Sequence, residues 1–426
     1  MKFKINKMTK SSSILFMTLI LIGSPCLLIN GFSQTGTFPS WKHFSIDPVL
    51  PGSGWGTGGA VISDFDHDGD PDVAISRRDP REGYWYERIN DSLWIPHIIA
   101  HSDNLANSLG SIALDIDHDG WTDVLSNGVW FRNPGVLDKY PDAPWSPFNI
   151  KAGGHDIVSA DLDNDGNKDI VVYDGNKLAW YNTYNSLRET VINSGNNDHG
   201  GIAPHGFGDL DGDNDLDLII PEYWFENPGN GTGNWIQHKW PYSMVPNASY
   251  GRSIKAWIAD INNDGNNDII YSDCDTGGGH VYWLDNKKGD GTTWIVHKLE
   301  DPPVKKGDVA GTGSFHSLGV ADFNNDGYPD IFAGEQEDPD TYMESEGKIA
   351  MKPRGLKERG VIYYNNGKNE PQFTIYVIHV DNPGWHDAQM IDMDNDGDMD
   401  IVSKIWNADG PVYHLDYWRN DLIKKQ

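Results

Sequence analysis

The sequence predicts an all-β fold, a seven-bladed β-propeller, on three observations. A nine-residue acidic motif recurs seven times. Each copy leads into a short apolar run and then an aromatic strand. One further strand of the outer type stands alone ahead of the first copy.

The motif alternates carboxylates or amides at its first, third and fifth positions and closes on an Asp at the ninth. Its copies are DFDHDGDPD from Asp64, DIDHDGWTD from Asp115, DLDNDGNKD from Asp161, DLDGDNDLD from Asp209, DINNDGNND from Asp260, DFNNDGYPD from Asp322 and DMDNDGDMD from Asp392. Alternate carboxylates around a glycine turn converge their oxygens on one hard cation, and calcium suits such a set. An EF-hand would need flanking helices, whereas the flanking runs here (VAIS, DIVVY, DLIIP, DIIYS) are β-rich. Up to seven structural calcium ions are therefore expected. The ligands would be Asp64, Asp66, Asp68 and Asp72 in the first loop, then Asp115, Asp117, Asp119 and Asp123, then Asp161, Asp163, Asp165 and Asp169. The fourth loop offers Asp209, Asp211, Asp213 and Asp217, with Asn214 where the others carry Gly. The last three offer Asp260, Asn262, Asp264 and Asp268; Asp322, Asn324, Asp326 and Asp330; and Asp392, Asp394, Asp396 and Asp400.

Each loop is followed by an aromatic strand ending near Asn, such as VWFRNPG, YWFENPG and VYWLDNK, and then by a strand such as WIPHIIA, WIQHKW or WIVHKL. Four strands per unit and seven units make a propeller. The last unit lacks its fourth strand because the chain ends soon after Trp418. The run from Trp41 to Ile46 resembles such a strand, with a Trp shortly before a His (Trp41 and His43), and is predicted to complete that blade. Closure of the ring removes exposed sheet edges.

Ahead of it, Lys2, Lys4, Lys7 and Lys10 precede an apolar run at 14–22 that is short for a bilayer, and Gly31 and Ser33 are small. Residues 1–33 are thus expected to be a signal peptide, and 34–426 a single propeller domain, secreted or periplasmic, monomeric and without a membrane span. Only Cys274 remains after such a cleavage, so no internal disulfide is expected. A net charge of −30 argues against nucleic acid as a partner.

The acidic loops join first and second strands and so mark one face. Innermost strands start, and second strands end, at the opposite face. There His155, His316 and His386 each stand six positions before a loop, and His205 four before. With Tyr223 they are the candidate acid and base groups. Arg77, Arg78, Lys255 and Lys404 are candidate anchors for a carboxylate or sulfate, Glu222 and Glu335 are further substrate contacts, and Trp406 offers a ring for sugar stacking. Several imidazoles together could also hold an additional divalent metal. The outer-strand residues His97, His238, His297 and His379 read as packing. Insertions at 301–315 and 337–359 project from the same face. The second carries Tyr342, Lys348, Lys352, Arg354, Lys357 and Arg359 and is expected to be a lid.

Cations ringed by histidines suit an acidic oligo- or polysaccharide. Pairing a uronate carboxylate with Arg or Lys acidifies the neighbouring C5 proton. One side chain can then remove it while another protonates the leaving oxygen at C4. This is β-elimination, by a polysaccharide lyase if a sugar leaves and by a dehydratase if water leaves.

The loops and the strands after them resemble FG-GAP/VCBS-repeat propellers, the architecture of integrin-type heads and several secreted carbohydrate-active proteins. The strands WFRNP at 130–134 and WFENP at 224–228 are similar to those of the propeller part of aldos-2-ulose dehydratase and of flavobacterial dehydratases acting on ulvan fragments. The resemblance implies removal of water from a sugar or terminal uronate. No site residue carries over by position. The expected function is a carbon–oxygen lyase, most sharply a dehydratase of uronate-ended oligosaccharides. A polysaccharide lyase and a calcium-dependent lectin or adhesin are the alternatives. Lectin propellers repeat one pocket per blade, whereas the candidate residues here differ between blades.

Overall fold

The structure is a computed structural model. It describes residues 38–52, 55–79, 81–101, 110–243, 251–304, 311–336, 357–368, 370–380, 384–406 and 412–423. The expected leader and most of the expected lid, with Tyr342, Lys348, Lys352 and Arg354, lie outside them. Residues 37–426 form one compact unit.

Seven sheets follow one another along the chain, antiparallel except where the short Pro204–His205 strand joins the fifth in parallel. The first blade is Thr57–Ser63, Asp72–Arg77, Gly83–Asn90 and Leu93–Ala100. The innermost strands of blades two to six are Ser111–Leu114, Asp156–Ala160, Phe207–Gly208, Ile254–Ala259 and Phe315–Ala321. The seventh blade runs His386–Ile391, Asp400–Lys404 and Leu415–Asn420, and its outermost strand is Trp41–Asp47 from the other end of the chain. Trp41 pairs Asn420 and Phe44 pairs Tyr417, so the ring closes as the sequence predicts. Among the described residues there is no helix, and none long and apolar enough to cross a membrane.

Second strands such as Asp268–Asp273 and Asp330–Glu335 are buried along their whole length, because a blade's middle strands are covered on both faces by neighbouring blades. The hydrophobic clusters accordingly sit between blades. Val171, Tyr173 and Trp180 of blade three meet Leu218, Ile220 and Phe225 of blade four.

The His of the outer-strand Trp-x-x-His pattern faces a different Trp, one on the neighbouring third strand. His97 stacks on Trp85, His238 on Trp224, His297 on Trp283 and His43 on Trp418, with ring centroids 4.2–4.6 Å apart. His379 leans on Trp418 at 5.3 Å. These histidines are structural.

The Asn that ends the third strand also has a task. The Nδ2 of Asn133 donates to the carbonyl of Phe65 in the preceding blade's loop, and those of Asn227, Asn286, Asn365 and Asn420 donate to Leu162, Leu210, Ile261 and Phe323 at 2.8–3.0 Å. Each Asn thus ties its blade to the acidic loop of the one before. Asn286 is fully buried and also accepts from Gly291 N–H at 3.2 Å. Asn286→Ala strands these buried partners and is expected to cost about 2–4 kcal/mol, measured as a shift in the urea midpoint.

Candidate functional site

Two kinds of site emerge, at opposite ends of the channel that the innermost strands enclose. At their C-terminal ends lie the seven acidic loops, each stabilised internally. The first Asp caps the turn, as Asp64 does for Asp68 N–H and Gly69 N–H at 3.1 Å. In the fourth loop Asn214 takes the glycine's place with φ 73° and donates to Asp209 at 2.9 Å, so the turn survives.

The ninth Asp does more than close a cation loop. Asp72 accepts from Phe65 N–H and Arg88 N–H at 3.1 and 2.9 Å, and Asp268 accepts from Ile261 N–H and Asn286 N–H at 3.2 and 2.8 Å. These bonds brace the loop against the third strand.

The donor set nonetheless fits a cation. Oxygens of Asp64, Asp66 and Asp72, of Asp115, Asp117 and Asp123, and of Asp161, Asp163 and Asp169 lie within 4.8 Å of one another. One buried oxygen each of Asp117, Asp163 and Asp211 makes no hydrogen bond. Burial, together with neighbouring carboxylates, pushes Asp66 and Asp211 up to about 6, a repulsion that a divalent ion would relieve. Blade two differs, because the Arg132 guanidinium already pairs with Asp117 and Asp119.

The channel is one cavity of about 840 Å³ that reaches Asp161 and Lys168 at the loop end; at the other end, where the innermost strands start, it is lined by His155, His199, His316, His386, Asp156, Asp275, Asp387, Arg78, Lys255 and Trp406. His155 and Asp156 open the third blade. Asp156 Oδ1 holds His155 Nδ1 at 2.8 Å, while its Oδ2 accepts from the N–H groups of Gly201, Ile202 and Ala203 at 2.7–3.1 Å. The chain that wraps Asp156 carries His199, whose ring centroid is 4.6 Å from that of His155. Gly200 between them has φ 128°, and a Cβ there would lie 2.7 Å from His155 Nδ1, so the approach requires glycine.

A second cluster centres on Asp387. Lys255 Nζ lies 2.7 Å from its Oδ1, and His386 Nδ1 and Lys404 Nζ lie 2.8 and 3.4 Å from its Oδ2. His316 Nδ1 is 3.2 Å from Oδ1 and its Nε2 3.7 Å from Asp275. The His316 and His386 rings stack at 3.7 Å, and His386 stacks on Trp406 at 5.7 Å.

These surroundings separate His155 from His199 and His386. Burial alone disfavours the His155 imidazolium, but the Asp156 carboxylate overrides it and holds the group above the usual imidazole range. Burial pushes His199 down and His386 far down, the latter helped by His316. Asp156 and Asp275 are buried and Asp387 half-buried, yet all three are held below the usual carboxylate range, by the histidines and, at Asp387, first by Lys255. Ligand atoms of His316, His386 and Asp387, and of Cys274, Asp275 and His316, lie within 4.8 Å of one another, so the donor set expected for an additional divalent metal is present, beside the ammonium groups of Lys255 and Lys404.

The structure thus brings together His155, His316, His386, Arg78, Lys255 and Trp406, with Lys404 buried behind them. It does not bring the rest. Arg77 is buried and donates to the carbonyls of Gly56, Leu50 and Pro51 while lying 4.3 Å over the Tyr413 ring. Glu335 is fully buried and binds Arg359, at 2.8 and 2.9 Å, so that end of the expected lid is a structural clasp. Glu222 pairs with Arg252 and Lys239, and Tyr223 lies beneath Lys239, away from the cavity lining.

His205 lines the channel deeper down. Its strand Pro204–His205 pairs in parallel with blade five, and its ring stacks on Trp257 at 4.7 Å. Burial lowers it to about 4. The unfolded chain binds a proton below 6.5 that the folded chain refuses until about 4, so stability falls as pH drops across that window. His205→Leu is expected to flatten the loss, on the order of 3 kcal/mol, in urea titrations between those pH values.

Sequence reasoning missed Asp156, His199, Asp275 and Asp387. A His-Asp pair recurs at 155–156 and 386–387 and could have flagged two of them. His199 and Asp275 sit in connections whose placement needs the fold.

The FG-GAP-like repeat model matches residues 64–126, 161–220 and 260–333. The chain carries FG-GAP-like repeats. No curated protein matches it in sequence. Among solved structures it is similar to the Photorhabdus luminescens Tc holotoxin pore (13% identity, TM-score 0.39, 84% of this chain and 17% of that one). It is also similar to the V. cholerae biofilm matrix protein Bap1 (12%, 0.40, 86% and 80%) and to Penicillium chrysogenum alpha-L-arabinanase complexed with arabinobiose (12%, 0.38, 91% and 100%). The chain spans less than a fifth of the toxin's length. These likenesses concern fold alone.

Proposed function

We propose that this FG-GAP-repeat propeller is a carbohydrate-acting carbon–oxygen lyase, a dehydratase of uronate-ended oligosaccharides. The observation that supports this most is the pair His155 and His199, adjacent in one cavity and pushed to opposite sides of the usual imidazole value. Groups with separated pKa values are suited to act as acid and base together.

In this reading Lys255 binds the uronate carboxylate. Charge drawn into that pair stabilises the anion that forms as neutral His199 takes the C5 proton. The C5–H electron pair becomes the C4=C5 double bond. The C4 oxygen leaves with the proton of His155, as water when C4 carries a free hydroxyl. Asp156 keeps His155 protonated and oriented. Asp387 positions Lys255 and, with Lys404, His316 and His386, keeps that wall of the cavity rigid. The acidic loops suit calcium and lie at the opposite end of the channel from these histidines, so the ions would support the scaffold. A leader at residues 1–33 would place the protein among extracellular polysaccharide fragments.

The test is incubation with uronate-ended oligosaccharides while following the conjugated-enoate absorbance and the product mass. Rising absorbance with loss of one water supports dehydration. Chain cleavage with the same absorbance points to a polysaccharide lyase. No absorbance change with glycan binding retained sinks the enzyme reading.

A further inference from the structure

Beside the central cavity stands an aromatic pair that the chemistry above does not use. Trp55 is exposed, and its ring meets that of Trp406 edge-on at 6.3 Å. The Arg78 guanidinium lies 5.7 Å from the Trp55 ring and 5.9 Å from the Trp406 ring. Trp406 lines the cavity and stacks on His386, so the pair is continuous with the site.

The arrangement is pinned by backbone. Gly56 N–H donates to Tyr413 Oη at 2.7 Å, Thr57 N–H donates to the carbonyl of Trp406 at 3.0 Å, and Arg78 N–H donates to the carbonyl of Gly56 at 3.1 Å. Gly56 has φ 76°, and a Cβ there would stand 3.1 Å from Arg78 Cδ. The turn that presents Trp55 is thus held against both Arg78 and Trp406. An exposed indole fixed in this way costs little ordering entropy when a ligand covers it.

We infer that Trp55, Trp406 and Arg78 form a second sugar subsite, which receives the pyranose ring next to the reacting uronate and favours a ring that bears an anionic group. Indole faces accept the apolar C–H face of a pyranose, and the guanidinium between them pairs with a carboxylate or sulfate. The preferred ligand is therefore at least two rings long. The inference rests on the reading of the cavity as a carbohydrate site, but not on the elimination step.

Calorimetric titration of the intact protein tests it with three probes: glucuronate, a glucuronate-ended disaccharide, and the same disaccharide sulfated on its second ring. The disaccharide should bind about ten times more tightly than glucuronate, and its sulfated form more tightly still. Trp55→Ala should reduce both disaccharides to the affinity of glucuronate and leave glucuronate unchanged, while Trp55→Phe keeps most of the gain. Equal binding of one and two rings by the unaltered protein overturns the subsite, as does a Trp55→Ala effect that is absent or equal for all probes. An oligosaccharide preference that depends on Trp55, without any enoate formation, upholds the subsite while removing the dehydratase reading.

Discussion

Replacing His155 with Gln is expected to lower kcat by about 10²–10⁴ with little change in thermal stability, because a positioned acid contributes on that scale. His199→Gln should match it through loss of the base. The double variant should lose little more than either single one, since the two groups act on one transition state. The pH profile carries the sharper signature. Activity needs His199 neutral and His155 protonated. Rate should therefore rise as pH climbs through a value below 6.5, where His199 loses its proton, and fall again above 6.5, where His155 loses its own. Asp156→Asn removes the carboxylate that holds His155 up, so the alkaline limb should move to lower pH. A profile with no limb sensitive to these substitutions would exclude the pair.

Chelation of divalent ions is the second large effect. Each ion that binds only the folded chain stabilises it, by about 2.7 kcal/mol where free ion is 100 times its Kd. Several loops filled together would lower Tm steeply on addition of chelator, and calcium should restore it. Blade two should contribute least, because Arg132 already pairs with Asp117 and Asp119, and Arg132→Gln should raise that loop's share. An unchanged Tm in chelator would leave the loops as turns braced by Asp72, Asp268 and their equivalents alone.

The fold was legible because its signals are local and repeated. Each loop motif names a first-to-second strand turn, and the Trp41 and His43 pair marks a strand whose partner lies at the other end of the chain. The third-strand Asn was visible as a pattern, but its bond to the preceding blade became clear only in three dimensions. Half of the site was legible for a geometric reason: innermost strands start at one face, and that placed His155, Lys255, His316 and His386. Strand ends misled where a side chain turns sideways between blades. Arg77 and Glu335 stand at such ends, yet backbone carbonyls and Arg359 claim them. His199 and Asp275 come from connections, and no periodicity predicts how a connection folds back over a channel.

The most direct measurement is a crystal structure of the His199→Gln variant with a glucuronate-ended oligosaccharide. The account predicts one ligand in the central cavity, its terminal uronate carboxylate within hydrogen-bond distance of Lys255, C4 oxygen facing His155 and C5 facing position 199. Sugar bound repeatedly on several blades, or at the acidic-loop end of the channel, would contradict it.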